Sequence, residues 1–235
     1  MKKVALLSLF VLLLGTFAVA QCGSNCLFYA GDFDANNGNA NGLANETDGI
    51  VSGSPYGSAT YQNFIVDGGG WHVDNLFTNN LSGLNPSTGY WEIRSGVSEG
   101  NGGTLVASGT TSMTQTPTGR NGFGFIEYRD EVGVSVDLAP DQYWLAVVPN
   151  DPNNQNRSFN SNTFGANAVG NQTLNDQFWN SSFFGVNYTN ANNGGTFPAF
   201  SAGVIGTESP EPSSLIMLGS GLVGVAGVIR RRLSR

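Results

Sequence analysis

Tyr143-Trp144-Leu145-Ala146-Val147-Val148 is apolar at six consecutive positions, between Asp141-Gln142 and Pro149-Asn150. A run this short, bounded by polar and turn-forming residues, is a strand rather than a helix. Successive strand side chains point to opposite faces. Tyr143, Leu145 and Val147 therefore share one face, and Trp144, Ala146 and Val148 the other. Both faces are apolar, which predicts a central strand covered on each side.

Outward from this segment the pattern changes to alternation. Val132, Val134, Val136 and Leu138 line one face just before it. Phe123, Phe125 and Glu127 face away from Ile126 and Tyr128, and Tyr90, Glu92 and Arg94 away from Trp91 and Ile93. Leu105-Val106 follows the turn residues Asn101-Gly102-Gly103. Phe64 and Val66 precede Asp67-Gly68-Gly69-Gly70, after which Trp71, Val73, Asn75 and Phe77 are predicted on one face. Phe183-Phe184, Val186, Tyr188, Val204 and Ile205 give weaker runs. No segment shows a convincing amphipathic helix. Short strands separated by turn residues predict an all-β fold, an antiparallel β-sandwich or jelly roll. Residues 150–180 are rich in Asn and predict a long loop or irregular flap carrying Phe159, Phe164, Phe178 and Trp179.

The two ends read differently. Lys2 and Lys3, the apolar stretch Val4 to Leu14, and Ala18-Val19-Ala20 form a signal peptide over residues 1–20, with Gln21 the first mature residue. Lipid attachment at Cys22 requires a small residue before it, and Gln21 is not small. At the far end, Pro210-Glu211-Pro212 precedes an apolar run from Leu215 to Ile229 and then Arg230-Arg231-Arg232. The prolines hold Glu211 in extended chain. Ser213 to Ile229 is just long enough to span a bilayer, and the arginines resist translocation.

This tail resembles the PEP-CTERM sorting signal of Gram-negative bacteria. The resemblance implies a substrate of exosortase, after signal peptidase during export. The chain is then held in the inner membrane by the C-terminal helix and processed for the cell surface or secretion. It divides the chain into a signal peptide (1–20), an extracellular domain (21–206) and a sorting segment (207–235). Tyr90-Trp91-Glu92-Ile93-Arg94 and Gln142-Tyr143-Trp144-Leu145-Ala146-Val147 also resemble strands of bacterial extracellular β-sandwich modules, a similarity of texture that bears on fold alone.

Residues 21–209 hold four arginines, no lysine and 16 acids, a net charge of 4 − 16 = −12. Such a surface repels nucleic acid and anionic lipid. Cys22 and Cys26, in an exported chain, predict a disulfide closing a small loop. Asp32, Asp34 and Asn36 place oxygen ligands at alternate positions and make calcium the candidate ion, with Asp48 a further ligand. The spacing is not that of an EF-hand, and an Asx-turn explains the same residues. No other cofactor is implied.

For catalysis the chain offers one histidine, His72, on a strand and without a nucleophile elbow. Glu127, Asp130, Glu131, Glu92 and Glu99 are carboxylates that a glycosidase would need paired across a cleft. The leading expectation is a non-catalytic surface or matrix protein associated with exopolysaccharide. The alternative is a calcium-assisted carbohydrate-binding module, stacking sugars on Trp71, Trp91, Trp179, Tyr56 or Tyr61. A glycoside hydrolase ranks third.

Overall fold

The computed structural model describes residues 22–23, 25–33, 43–47, 57–151, 156–192 and 198–209. Thirteen strands account for most of them: β1 (Cys26–Tyr29), β2 (Ser58–Val66), β3 (Trp71–Ser82), β4 (Thr88–Ser95), β5 (Thr104–Gly122), β6 (Phe125–Leu138), β7 (Asp141–Asn150), β8 (Ser158–Asn160), β9 (Asn162–Thr163), β10 (Phe178–Ser181), β11 (Val186–Asn190), β12 (Ala199–Phe200) and β13 (Ala202–Glu208). No helix occurs among the described residues. The signal peptide and the apolar run Leu215 to Ile229 lie outside them.

Eleven strands form one antiparallel sheet in the order β1-β13-β3-β6-β5-β4-β7-β2-β10-β11, with β8 joined to β3. β5 is the hinge of this sheet. Its first half pairs with β4, and its second half, from Met113 onward, with β6. The sheet therefore curls, and its two halves face each other across one core. Phe28, Val73, Leu76, Val132 and Val204 enter that core from one half; Phe64, Ile93, Leu145 and Val147 enter from the other. Each such side chain contributes about 1.5–3 kcal/mol through burial.

β7 lies between β4 and β2, as the doubly apolar segment predicts. Tyr143, Leu145 and Val147 join the central core. Trp144, Ala146 and Val148 join a second cluster with Tyr61, Phe178 and Tyr188 on the outer face. The outer face of the other half carries a third cluster, in which Phe77 and Tyr29 pack with Cys22. Cys22 and Cys26 are bonded as a disulfide, so the small N-terminal loop plugs this cluster.

Three expectations need correction. Phe77 does not share the face of Trp71 and Val73. The ladder slips between Val73 and Asn75 against β6, and at the same place against β13. Such a bulge shifts the phase of alternation, so Leu76 takes the core position and Phe77 the outer one. Thr207 and Glu208, placed by the sequence in the sorting segment 207–235, continue β13 opposite His72 and Trp71, because ladder bonds are made by the backbone and need no apolar side chain. Residues 150–180 are not simply a flap. They contain β8 and β9, and β10 begins within them.

Strand registers place the connections at two poles. One pole holds the turn after β2, the turn between β6 and β7, and Ser209, whose N–H donates to the Gly70 carbonyl. The other pole holds the β5–β6 and β10–β11 turns. The nine residues of β2 separate these poles by about 30 Å at roughly 3.3 Å per residue.

Candidate functional site

The candidate carboxylates are distributed over separate networks, each with its own donors. Glu127 is fully buried on the outer face of β6. Its Oε2 accepts from Thr118 Oγ1 and Arg120 Nε, each at 2.6 Å. The same guanidinium reaches Asp32 at 3.1 Å. Asp32 also accepts from the Tyr29 hydroxyl at 2.7 Å and from Asn167 Nδ2 at 2.7 Å. Desolvation holds the Tyr29 hydroxyl well above its ordinary pKa, which keeps it a donor. Glu131 pairs with Arg129 at 2.7 Å and accepts from Asn75. The Arg129 guanidinium in turn lies 3.8 Å over the Phe77 ring.

Asp130 alternates to the opposite face of β6 and is buried between the two halves of the sheet. It accepts from Asn80 Nδ2 at 2.6 Å and Gln115 Nε2 at 2.9 Å. Asn80 is held in turn by Asn45, which also donates to the Val147 carbonyl of the facing half. This end of the interior is thus polar, and no ion pair reaches Asp130 among the described residues. Burial without a cation pushes its pKa up to about 7.

Glu92 occupies a third site under the outer face of β4. Tyr61 and Tyr90 donate to its two oxygens, and Arg94 Nε lies 2.8 Å from Oε1. Glu99 accepts from the Asn190 N–H. His72 is exposed. Its Nδ1 lies 2.6 Å from Asp137 and its Nε2 3.5 Å from Asp74, and the Asp137 hydrogen bond raises its pKa.

Among the proposed calcium ligands Asp32 is described, whereas Asp34, Asn36 and Asp48 lie outside the described residues. Asp32 already serves three donors, one a guanidinium that competes with a cation for the same oxygens. No cluster of three or more metal-ligating side chains occurs among the described residues.

The aromatic platform requires correction. Trp71, Trp91 and Tyr61 are buried at 3 %, 7 % and 0 % exposure, and Tyr56 lies outside the described residues. The first two fill the central core and Tyr61 the second cluster, where burial of their large apolar area outweighs display. The displayed aromatics are others, Phe164 (48 % exposed, just after β9) among them. Phe183 and Phe184, 54 % and 50 % exposed, form the β10–β11 turn, and Phe123 caps the β5–β6 turn at the same pole. Trp179, half-buried, lies 5.5 Å from Phe184 at 43°, and Phe183 meets Phe184 at 85°. These rings are not coplanar. The sequence carried Phe183-Phe184 only as a faint strand signal, since exposure at a turn depends on what packs beside it. The Arg120–Asp32 pair spans 88 positions and has no sequence signature.

Residues 210–232 match the family model of the PEP-CTERM protein-sorting motif. No curated protein and no solved structure matches the chain. The motif identifies an exported protein that is anchored in the membrane and then processed by the exosortase system. Its first residue follows directly on Ser209, which lies at the pole opposite Phe123, Phe183 and Phe184.

Proposed function

We propose that this chain is a non-catalytic cell-surface or extracellular-matrix protein, exported after removal of residues 1–20 by signal peptidase, sorted by exosortase, and associated with exopolysaccharide. The sorting motif carries this reading. The non-catalytic reading is supported by the carboxylates: Glu92, Glu127 and Asp130 are at most 1 % exposed and held by structural donors, whereas a glycosidase needs a carboxyl pair facing substrate.

The calcium-assisted carbohydrate-binding module is the second reading, favoured by the exposed aromatics. The ring angles of 43° and 85° disfavour stacking along one flat sugar face, and the Arg120–Asp32 pair disfavours calcium there.

Two arms of one experiment test the proposal. The full chain and a variant with Arg230, Arg231 and Arg232 changed to Ala are expressed in an exosortase-bearing Gram-negative host and fractionated. The parent is expected at the surface or in the medium, and the variant retained or mislocalised; identical distribution would overturn the sorting assignment. Released parent protein is then titrated against the host's exopolysaccharide, with calcium and with chelator. Saturable binding in both supports matrix association. Binding abolished by chelator favours the second reading, and no binding removes the polysaccharide from the proposal.

A further inference from the structure

The sorting motif begins without a spacer. Its first residue is Pro210, and Ser209 before it is still tied to the sheet, donating its N–H to the Gly70 carbonyl at 2.8 Å. Gly70 is in turn packed on the β6–β7 turn, where an added Cβ would stand 2.4 Å from the Leu138 carbonyl oxygen. Pro210 therefore leaves the domain beside folded backbone. Beyond the motif, the apolar run begins at Leu215, six residues after Ser209. Extended chain covers at most about 3.3–3.6 Å per residue, so that interval is no longer than about 20 Å. An enzyme that engages Pro210-Glu211-Pro212 works within this interval. Clefts that read an extended peptide do so through its backbone as well as its side chains, and backbone already paired in a sheet is not free for that.

The end of β13 is held less firmly than its start. β1 borders β13 as far as Ile205, opposite Cys26, and the Gly206 N–H donates to the Asn25 carbonyl at 3.0 Å. Asn25 lies inside the loop closed by the Cys22–Cys26 disulfide, so Gly206 is anchored to a cross-linked turn. Gly206 also presses on β3, since a Cβ there would stand 2.0 Å from the His72 carbonyl oxygen. At this place the β13–β3 ladder slips, between Ile205 and Gly206. Past it, Thr207 and Glu208 pair with β3 alone among the described strands, opposite His72 and Trp71. Both are exposed, and neither side chain is apolar. A segment held by a few exposed backbone bonds, with no apolar burial, lies at the low end of local opening free energies. Gly206 is thus a fixed pivot, and the three residues after it form a short strap.

We propose that residues 207–209 are a releasable strap, which peels from β3 at Gly206 to deliver Pro210-Glu211-Pro212 to the exosortase. This inference rests on the sorting reading given above. Release of the strap frees about 10 Å of extended chain ahead of the motif. With the strap paired the motif is withheld against the domain. A processing enzyme that acts on a transiently opened form works at a rate set by the population of that form, when opening and closing are fast. The strap therefore sets how quickly the folded domain is released from its anchor.

The test compares processing rates of the full chain in an exosortase-bearing Gram-negative host, by pulse labelling and the mass of the shortened product. Thr207 and His72 are directly opposed, a relation that sets Cβ atoms about 4.5–5.5 Å apart, close to the span of a disulfide. Thr207→Cys with His72→Cys ties the strap shut, and mass spectrometry of the isolated chain verifies the bond. The tied chain is expected to be processed about tenfold more slowly than Thr207→Ser with His72→Ser, which changes the same positions without a tie. A flexible insert of about six Gly and Ser residues between Ser209 and Pro210 makes opening unnecessary. It is expected to restore processing of the tied chain and to speed that of the parent severalfold. A tied chain processed like its serine control would overturn the strap. So would a tied chain that the insert fails to rescue, or an insert that leaves the parent's rate unchanged. Loss of processing in every chain, the parent included, would instead overturn the sorting assignment and this inference with it.

Discussion

Arg120 Nε donates to Glu127 Oε2 at 2.6 Å across the β5–β6 hairpin, and its NH1 lies 3.1 Å from Asp32. One guanidinium thereby ties the hairpin to the segment after β1. Removing it leaves Glu127 buried without its cation. Arg120→Ala is expected to cost about 3–5 kcal/mol, the usual penalty for orphaning a buried charge. Arg120→Ala with Glu127→Gln should recover part of that loss in urea unfolding; no recovery would mean that the pair is not what holds the hairpin.

Gly203 lies beneath the Phe77 ring. A Cβ there would stand 2.4 Å from Phe77 Cζ and 2.7 Å from the Phe28 carbonyl oxygen. The ring is wedged under Arg129 and the carbonyl belongs to the paired strand, so neither yields easily. Gly203→Ala is expected to destabilise by about 1–3 kcal/mol, as overpacking does, read as a lowered Tm.

Phe123 and Gly124, with φ of 55° and 86°, are the central residues of the two-residue β5–β6 turn. Positive φ at both positions is the I′ turn, which favours Asn-Gly. A phenylalanine in the left-handed region costs about 1–2 kcal/mol. Phe123→Asn is therefore expected to stabilise the domain by about 1 kcal/mol in chemical denaturation. Unchanged stability would show that the exposed ring gains its cost back in the folded chain.

Asp130 titrates at about 7 in the folded protein, against about 3.9 unfolded. Between these values the folded state holds a proton that the unfolded state has lost. Its contribution is fully present below pH 4 and is lost as pH rises to about 7, a change on the order of a few kcal/mol. Urea midpoints measured from pH 4 to 8 should fall more in the parent than in Asp130→Asn, in which this slope is absent. Equal slopes would place the titration elsewhere.

His72 is raised above its ordinary pKa by the hydrogen bond to Asp137. Its C–H resonances, followed by NMR, should titrate above pH 6.5 in the parent. In Asp137→Asn the midpoint should move down. An unmoved midpoint would assign the effect to Asp74 instead.

Much of the fold was legible because burial on a strand leaves a pattern of period two. Val132 to Leu138 kept that pattern, and Tyr143 to Val148 kept both faces apolar. The pattern failed at Asp74, where a bulge displaced Phe77 from the face its spacing predicted. A bulge is a property of pairing with β6 and β13, and neither partner is adjacent in the chain. The candidate aromatics failed for a related reason. Trp71 and Trp91 have the amphipathic character of a sugar platform and of a core residue alike, and only the facing half of the sheet decides between them.

The sequence by itself determined the all-β class, the central strand and the sorting tail, since alternation and a contiguous Pro-Glu-Pro, apolar and arginine run are local properties. Tertiary structure decided the rest. It set Asp32 against Arg120, enclosed Asp130 with no ion pair among the described residues, and buried Trp91 over Gly109. Each depends on which strands become neighbours when the sheet curls, and that choice is made by the packing of distant residues rather than by any stretch of chain.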